Sequence, residues 1–174
     1  GSLKGSRVTI LGFGNIGQCV GKFLKPYGCV ITGVKRTLVK GPDYFEDGDR
    51  VLTVDKISEV LETTDHLVLV LPGGLETQGL LTYELLSKLP ANSYIYNVGR
   101  GNVYEEQNLV AILQEGKIAG AYLDVFDAEP LSEKSLLWQL DNVLIQPHIS
   151  AASPQYLELF IEELAEKINN AKKN

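Results

Sequence analysis

Cysteine and histidine are scarce in this chain, with two of each among 174 residues. Cys19 and Cys29 make a poor disulfide framework and a poor metal site, so they read as small buried thiols of a reducing cytosol. His66 and His148 leave two positions for imidazole chemistry. Basic residues are outnumbered, 16 Lys and Arg against 22 Asp and Glu, and the net charge of −6 argues against a general nucleic-acid binder. No apolar run approaches the ~18 residues of a membrane-spanning helix, and no leader-like stretch precedes the first strand. These absences point to a cytoplasmic protein with neither nucleic acid nor membrane as partner. The remaining composition, 44% hydrophobic and 22% charged, is that of one globular domain with a substantial core.

The organising stretch is Val8-Thr9-Ile10-Leu11-Gly12-Phe13-Gly14-Asn15-Ile16-Gly17. An apolar, β-branched run enters three glycines spaced G-x-G-x-x-G. Ile16, Val20, Phe23 and Leu24 then fall on one face of an amphipathic helix. Placed between a strand and a helix, this spacing reads as a dinucleotide-binding turn. Gly12 permits the tight turn, Gly14 lets a pyrophosphate approach the backbone, and Gly17 lets helix and strand pack closely. The amino end of the helix adds free N–H groups and a positive dipole end.

Further along, Cys29 to Val34 reads as a second buried strand, 38–49 as a polar loop, and Asp55 as the N-cap of a short helix with Ile57, Val60 and Leu61 inward. His66 to Leu71 is the next strand, stopped by Pro72-Gly73-Gly74. Thr82 caps a helix running to Leu89, and Tyr94 to Val98 is a strand broken at Gly99-Arg100-Gly101. A helix over 105–115 buries Leu109, Ile112 and Leu113. Strands follow at 118–126 and 143–145, and Ser153-Pro154 opens a final helix with Tyr156, Leu157, Phe160, Ile161, Leu164 and Ile168 at helical spacing. Alternating strands and helices imply an α/β fold, a doubly wound parallel sheet in three αβα layers of the Rossmann dinucleotide-binding type. Ligands bind such sheets beyond the carboxyl ends of the strands.

The adenosine ribose of NAD is normally held by an acidic residue at the end of the second strand. Here that position reads Val34-Lys35-Arg36-Thr37, with cations and no carboxylate. Cations suit a 2′-phosphate, so NADP(H) is expected over NAD(H), with Lys35, Arg36 and Thr37 at the phosphate. His66 opens an apolar strand and reads as a strand-edge residue. His148, in Gln146-Pro147-His148-Ile149-Ser150, follows a strand, where a general acid–base is needed. Glu129 also follows a strand, and a carboxylate bonded to an imidazole fixes its orientation. Arg100 offers a fork for a substrate carboxylate or carbonyl.

The chain resembles the nucleotide-binding domain of the D-isomer-specific 2-hydroxyacid dehydrogenases. The resemblance rests on Gly12 to Gly17, Asn97-Val98-Gly99-Arg100-Gly101, Gly120 to Phe126 through Glu129-Pro130-Leu131, and Asn142-Val143 through Pro147-His148-Ile149-Ser150. It implies that Arg100 anchors and polarises a 2-oxo acid, His148 exchanges a proton with its oxygen, and Glu129 supports His148. It also implies that Asp124 contacts the nicotinamide end. Gly12, Gly14, Asn15, Ile16 and Gly17, with Leu71, Pro72, Val98, Gly99, Ser150 and Ala151, would line the cofactor.

Two departures stand out. Lys35 occupies the usual acidic position, and the Pro72-Gly73-Gly74-Leu75-Glu76-Thr77 loop carries glycines where the family often has a bulkier residue and a threonine. The family's second, substrate-binding domain is expected to lie outside these 174 residues. So is the crossing segment that supports its common dimer. The parent protein is expected to reduce a 2-oxo acid with NADPH, while the isolated chain binds cofactor with little turnover. The alternative is a dinucleotide-sensing binding module of the corepressor kind.

Overall fold

The computed structural model describes residues 3–150. They form seven parallel strands: β1 (Arg7–Leu11), β2 (Val30–Lys35), β3 (Arg50–Thr53), β4 (His66–Leu69), β5 (Tyr94–Asn97), β6 (Gly120–Leu123) and β7 (Val143–Ile145). Their order in the sheet is β3-β2-β1-β4-β5-β6-β7. The chain moves outward from β1 in one direction, then returns to β4 on its other flank. The switch point of this doubly wound sheet therefore lies between β1 and β4, where such folds bind ligands. Helices α1 (Asn15–Leu24), α2 (Ser58–Leu61), α3 (Tyr83–Leu86) and α4 (Glu106–Gln114) connect the strands. No helix among the described residues is long and apolar enough to cross a membrane.

The period of two along each strand divides the core between the two faces of the sheet. Val8 and Ile10 of β1 join Phe13, Cys29 and Ile31 on one face, with Val20 and Leu24 of α1 packed against them. Leu11, Leu67, Leu69 and Ile95 turn to the other face, where Leu61, Leu86, Leu109 and Ile112 from α2, α3 and α4 cover them. Every residue in that second set is almost fully buried. At about 25 cal/mol per Å² of apolar area, each such aliphatic side chain stabilises the fold by about 1.5–3 kcal/mol.

Several local readings needed revision. Ile16 and Phe23 are 66% and 78% exposed, and the buried positions of α1 are Gly17 and Gly21. The glycine turn sets α1 so close to the sheet that a Cβ at Gly17 would lie 2.5 Å from the Gly12 carbonyl oxygen. The helix therefore presents its glycine edge inward and turns the bulkier residues outward. Cys19, on the same outward side, is exposed, and only Cys29 is a buried thiol.

Asp55 lies inside a 3-10 turn, Val54–Lys56, and caps nothing. Thr82 does cap α3, accepting the Leu85 amide at 3.3 Å. Strand β3 is absent from the sequence reading because one exposed and three half-buried edge residues after a polar loop carry no periodic signal. The helix expected beyond Ser153 lies outside the described residues.

Candidate active site

The site grows from the end of β1. Gly12 turns with φ 102°, a left-handed value that suits glycine, and a Cβ there would sit 2.7 Å from the Val70 carbonyl. Its amide and that of Phe13 both bond to the Val34 carbonyl oxygen, at 2.9 and 3.0 Å, fastening the loop to β2. Gly14 behaves differently. It is the N-cap of α1, no side chain caps the helix, and no acidic residue occupies the first turn. A Cβ at Gly14 would meet nothing within 4 Å. The helix thus opens its amino end onto free space beside a backbone that any ligand can approach closely, with Asn15 and Ile16 exposed at its start. These residues fit the pyrophosphate of a dinucleotide.

Flanking loops complete the cleft. Lys35 ends β2 half-buried, and Arg36 and Thr37 follow it, exposed. Beyond β4, Leu71 is 9% exposed and Pro72 lies on the surface. Arg36 is not free: its Nη1 lies 2.7 Å from Glu76 Oε2, in the loop after β4.

At the end of β5, Asn97 is fully buried, a residue of the family-like stretch to which the sequence assigned no role. Its Oδ1 accepts the Gly99 amide at 3.1 Å, and its Nδ2 donates to the Arg100 carbonyl at 3.0 Å and to the Tyr104 hydroxyl oxygen at 3.1 Å. Burial pushes the Tyr104 phenol up, so it stays a neutral acceptor. Asn97 therefore shapes the turn through Val98 and Gly99 that carries Arg100. The only hint in the sequence was a polar residue closing an apolar strand. The next residue, Gly101, passes against the β6 loop so tightly that a Cβ would come within 1.9 Å of the Phe126 carbonyl carbon. Arg100 is exposed, and its Nη1 donates to the Gly99 carbonyl at 2.8 Å.

Glu129 and His148 meet across 19 residues, with Glu129 Oε2 2.6 Å from His148 Nδ1. The other carboxylate oxygen, Oε1, accepts the Phe126 amide at 2.9 Å. The carboxylate is thus held from both sides, and imidazole Nε2 is the nitrogen left for a substrate. Burial pushes the Glu129 carboxyl up, but the His148 and Phe126 hydrogen bonds and the charges of His148 and Arg100 outweigh it and hold it below the usual range. His148 adopts φ 58°, a conformation that costs a non-glycine residue about 1–3 kcal/mol and that clusters at functional sites. A cavity of about 400 Å³ beside the pair is walled by Phe126, Leu131, Trp138 and Pro147.

The backbone around His148 is set by Asp124, which is 1% exposed. Its Oδ1 accepts the Ile149 amide at 2.8 Å and its Oδ2 the Ser150 amide at 2.9 Å. Burial pushes Asp124 up, but the Ser150 and Ile149 hydrogen bonds and the His148 charge more than offset it, leaving it low. The resemblance implied a contact with a nicotinamide. In the structure both carboxylate oxygens are engaged by the turn that carries His148. Ala151 lies outside the described residues. The second histidine, His66, opens β4 with Nδ1 3.0 Å from the Tyr96 hydroxyl and has no part in this site.

A parallel sheet with an uncapped glycine turn at its switch point, and a histidine–carboxylate pair beyond its carboxyl edge, defines the dinucleotide-binding class of domain. Residues 1–150 match the family model for the D-isomer specific 2-hydroxyacid dehydrogenase, NAD binding domain. The chain belongs to that family. It is 36% identical over 156 residues to glyoxylate/hydroxypyruvate reductase HPR3 of Arabidopsis thaliana, covering 90% of this chain and 46% of that protein. Among solved structures, a probable 2-hydroxyacid dehydrogenase from Rhizobium etli, in complex with NADP, HEPES and tartaric acid, superposes with a TM-score of 0.81. It is 33% identical, over 97% of this chain and 52% of the other. A family member from Xanthobacter autotrophicus, in complex with NADPH and MES, gives a TM-score of 0.74 at 37% identity, over 83% of this chain and 44% of its own. The chain spans about half the length of these relatives.

Proposed function

We propose that this chain is the cofactor-binding and proton-handling half of an oxidoreductase that interconverts a small 2-oxo acid and its D-2-hydroxy acid. The observation that carries this reading is the 2.6 Å contact between Glu129 Oε2 and His148 Nδ1. Gly12, Gly14, Asn15, Ile16 and Gly17 would hold the pyrophosphate. Leu71, Pro72, Val98, Gly99 and Ser150 would line the rest of the cleft. A nicotinamide held there would supply the hydride for reduction of the substrate carbon, or accept it in the reverse direction.

The chain's own residues handle the rest. Arg100 pairs with the substrate carboxylate and offsets the charge that grows on the oxygen. His148 Nε2 delivers a proton to that oxygen during reduction and withdraws it during oxidation. Glu129, kept ionised, holds the ring through Nδ1 and stabilises the imidazolium. The remaining half of the relatives' length is where the opposing wall of the substrate pocket is expected.

The phosphorylated cofactor is favoured because positions 35–37 carry two cations and no carboxylate, and because relatives were crystallised with NADP and NADPH. The two free thiols suit a reducing, cytoplasmic setting.

In the full-length protein, His148→Ala should lower kcat for 2-oxo acid reduction by about 10²–10⁴-fold, with the NADPH Kd within about twofold of wild type. Turnover near wild type would remove His148 from the chemistry. A wild-type protein that binds cofactor but reduces none of glyoxylate, hydroxypyruvate or pyruvate would point to a sensor.

A further inference from the structure

The cation assigned above to the 2′-phosphate already holds an anion of the protein's own. Arg36 follows β2, Glu76 follows β4, and the strand between them is β1, whose end carries Gly12 to Gly17. Two strand spacings, about 10 Å, separate the ends of β2 and β4, and the loop after β4 brings Glu76 Oε2 to 2.7 Å from Arg36 Nη1. The pair therefore ties together the loops that follow the two strands flanking β1.

Glu76 is presented by a folded loop. Thr77 Oγ1 donates to the carbonyls of Pro72 and Gly74 at 3.2 and 3.0 Å, and the Thr77 amide donates to Gly74 as well. The neighbouring Leu75 is 92% exposed at the tip of this loop. No carboxylate occupies positions 35–37, so the acid that meets Arg36 comes from a different loop. A guanidinium fork binds a phosphate and a carboxylate with the same N–H donors, so the two compete for it.

We propose that Glu76 sets cofactor selectivity in this domain by competing for Arg36. Its carboxylate stays on Arg36 when the cofactor carries a 2′-hydroxyl, and it must be displaced when the cofactor carries a 2′-phosphate. Glu76 thereby weakens NADP(H) binding and leaves NAD(H) binding untouched. The side chains of the pair are 81% and 75% exposed, so displacement is easy and the effect is a tuning of a fewfold. The inference rests on the reading that Arg36 receives the 2′-phosphate.

Titration calorimetry of the 174-residue chain with NADPH and with NADH tests it. At low ionic strength Glu76→Gln should tighten NADPH about threefold and leave NADH within experimental error, and the gain should shrink by 0.5 M NaCl as the charges are screened. Arg36→Ala should weaken NADPH, and Glu76→Gln should then have no further effect on it. If Arg36→Ala leaves NADPH unchanged, the assignment of Arg36 fails and this inference fails with it. If Arg36→Ala weakens NADPH while Glu76→Gln changes neither cofactor, both equally, or NADH alone, the assignment stands and the competition is overturned.

Discussion

Asp124 holds the Ser150 amide at 2.9 Å with one carboxylate oxygen and the Ile149 amide at 2.8 Å with the other, from a position almost sealed from solvent. The turn that orients His148 is thus hung from the end of β6. Asp124, which the family resemblance sets at the nicotinamide end, is in the fold also the brace of the turn that carries His148.

Removing that brace should be costly. Asp124→Ala leaves the two amides to find other partners, at about 1–3 kcal/mol for each donor left buried and unpaired. Urea unfolding of the chain should show a loss of up to about 2–6 kcal/mol, the sum over the two donors, and hydrogen exchange should rise at Ile149 and Ser150. An unchanged midpoint would mean that water replaces the carboxylate freely.

Acid should weaken the domain through the same two carboxylates. Asp124 and Glu129 are both held below their ordinary values in the fold. A group depressed in this way stabilises the fold above its unfolded value, about 3.9 for Asp and 4.3 for Glu, and loses that contribution as pH falls through the lower folded value. The urea midpoint should therefore drop below about pH 4, and Glu129→Gln should flatten part of that fall. A wild-type acid limb in Glu129→Gln would show that the pairing with His148 contributes nothing to stability.

Glu129 engages the His148 ring through Oε2, so its replacement tests positioning. In the full-length protein Glu129→Gln should lower kcat about 10–100-fold with little change in cofactor Kd. Asp at this position should recover part of the rate. A kcat at the wild-type value in Glu129→Gln would assign Glu129 a structural role alone.

Two glycines should separate binding from folding. Ala at Gly14 enters open space, so its Tm should stay near wild type while the Kd for NADPH rises about tenfold or more. Ala at Gly101 meets the Phe126 backbone, and overpacking of that kind costs about 1–3 kcal/mol or more. Thermal melts and cofactor titrations of the two variants should move in opposite columns: one loses ligand, the other loses the fold.

Much of this was legible before any coordinates. The glycine spacing, the alternation of buried strands with helical segments, and the position of Arg100, Glu129 and His148 just after strands are local patterns. Backbone sterics and hydrophobic periodicity express them directly. Short elements escaped, because among the described residues Arg50–Thr53 pairs with β2 alone, and its exposed and half-buried edge residues leave no clear period. The inward edge of α1 escaped as well. Ile16 and Phe23 are apolar, yet the closeness of the glycine turn brings Gly17 and Gly21 to the sheet in their place.

The amino-acid sequence by itself determined the class of sheet, the glycine turn and the three residue types proposed for the chemistry. Only the tertiary structure decided which residues hold which. Asn97 shapes the Arg100 turn, Asp124 braces the His148 turn, and Glu76 reaches Arg36 from 40 positions away. These contacts depend on strand order and on loops brought together at one edge of the sheet. No local period or spacing along the chain encodes such a meeting.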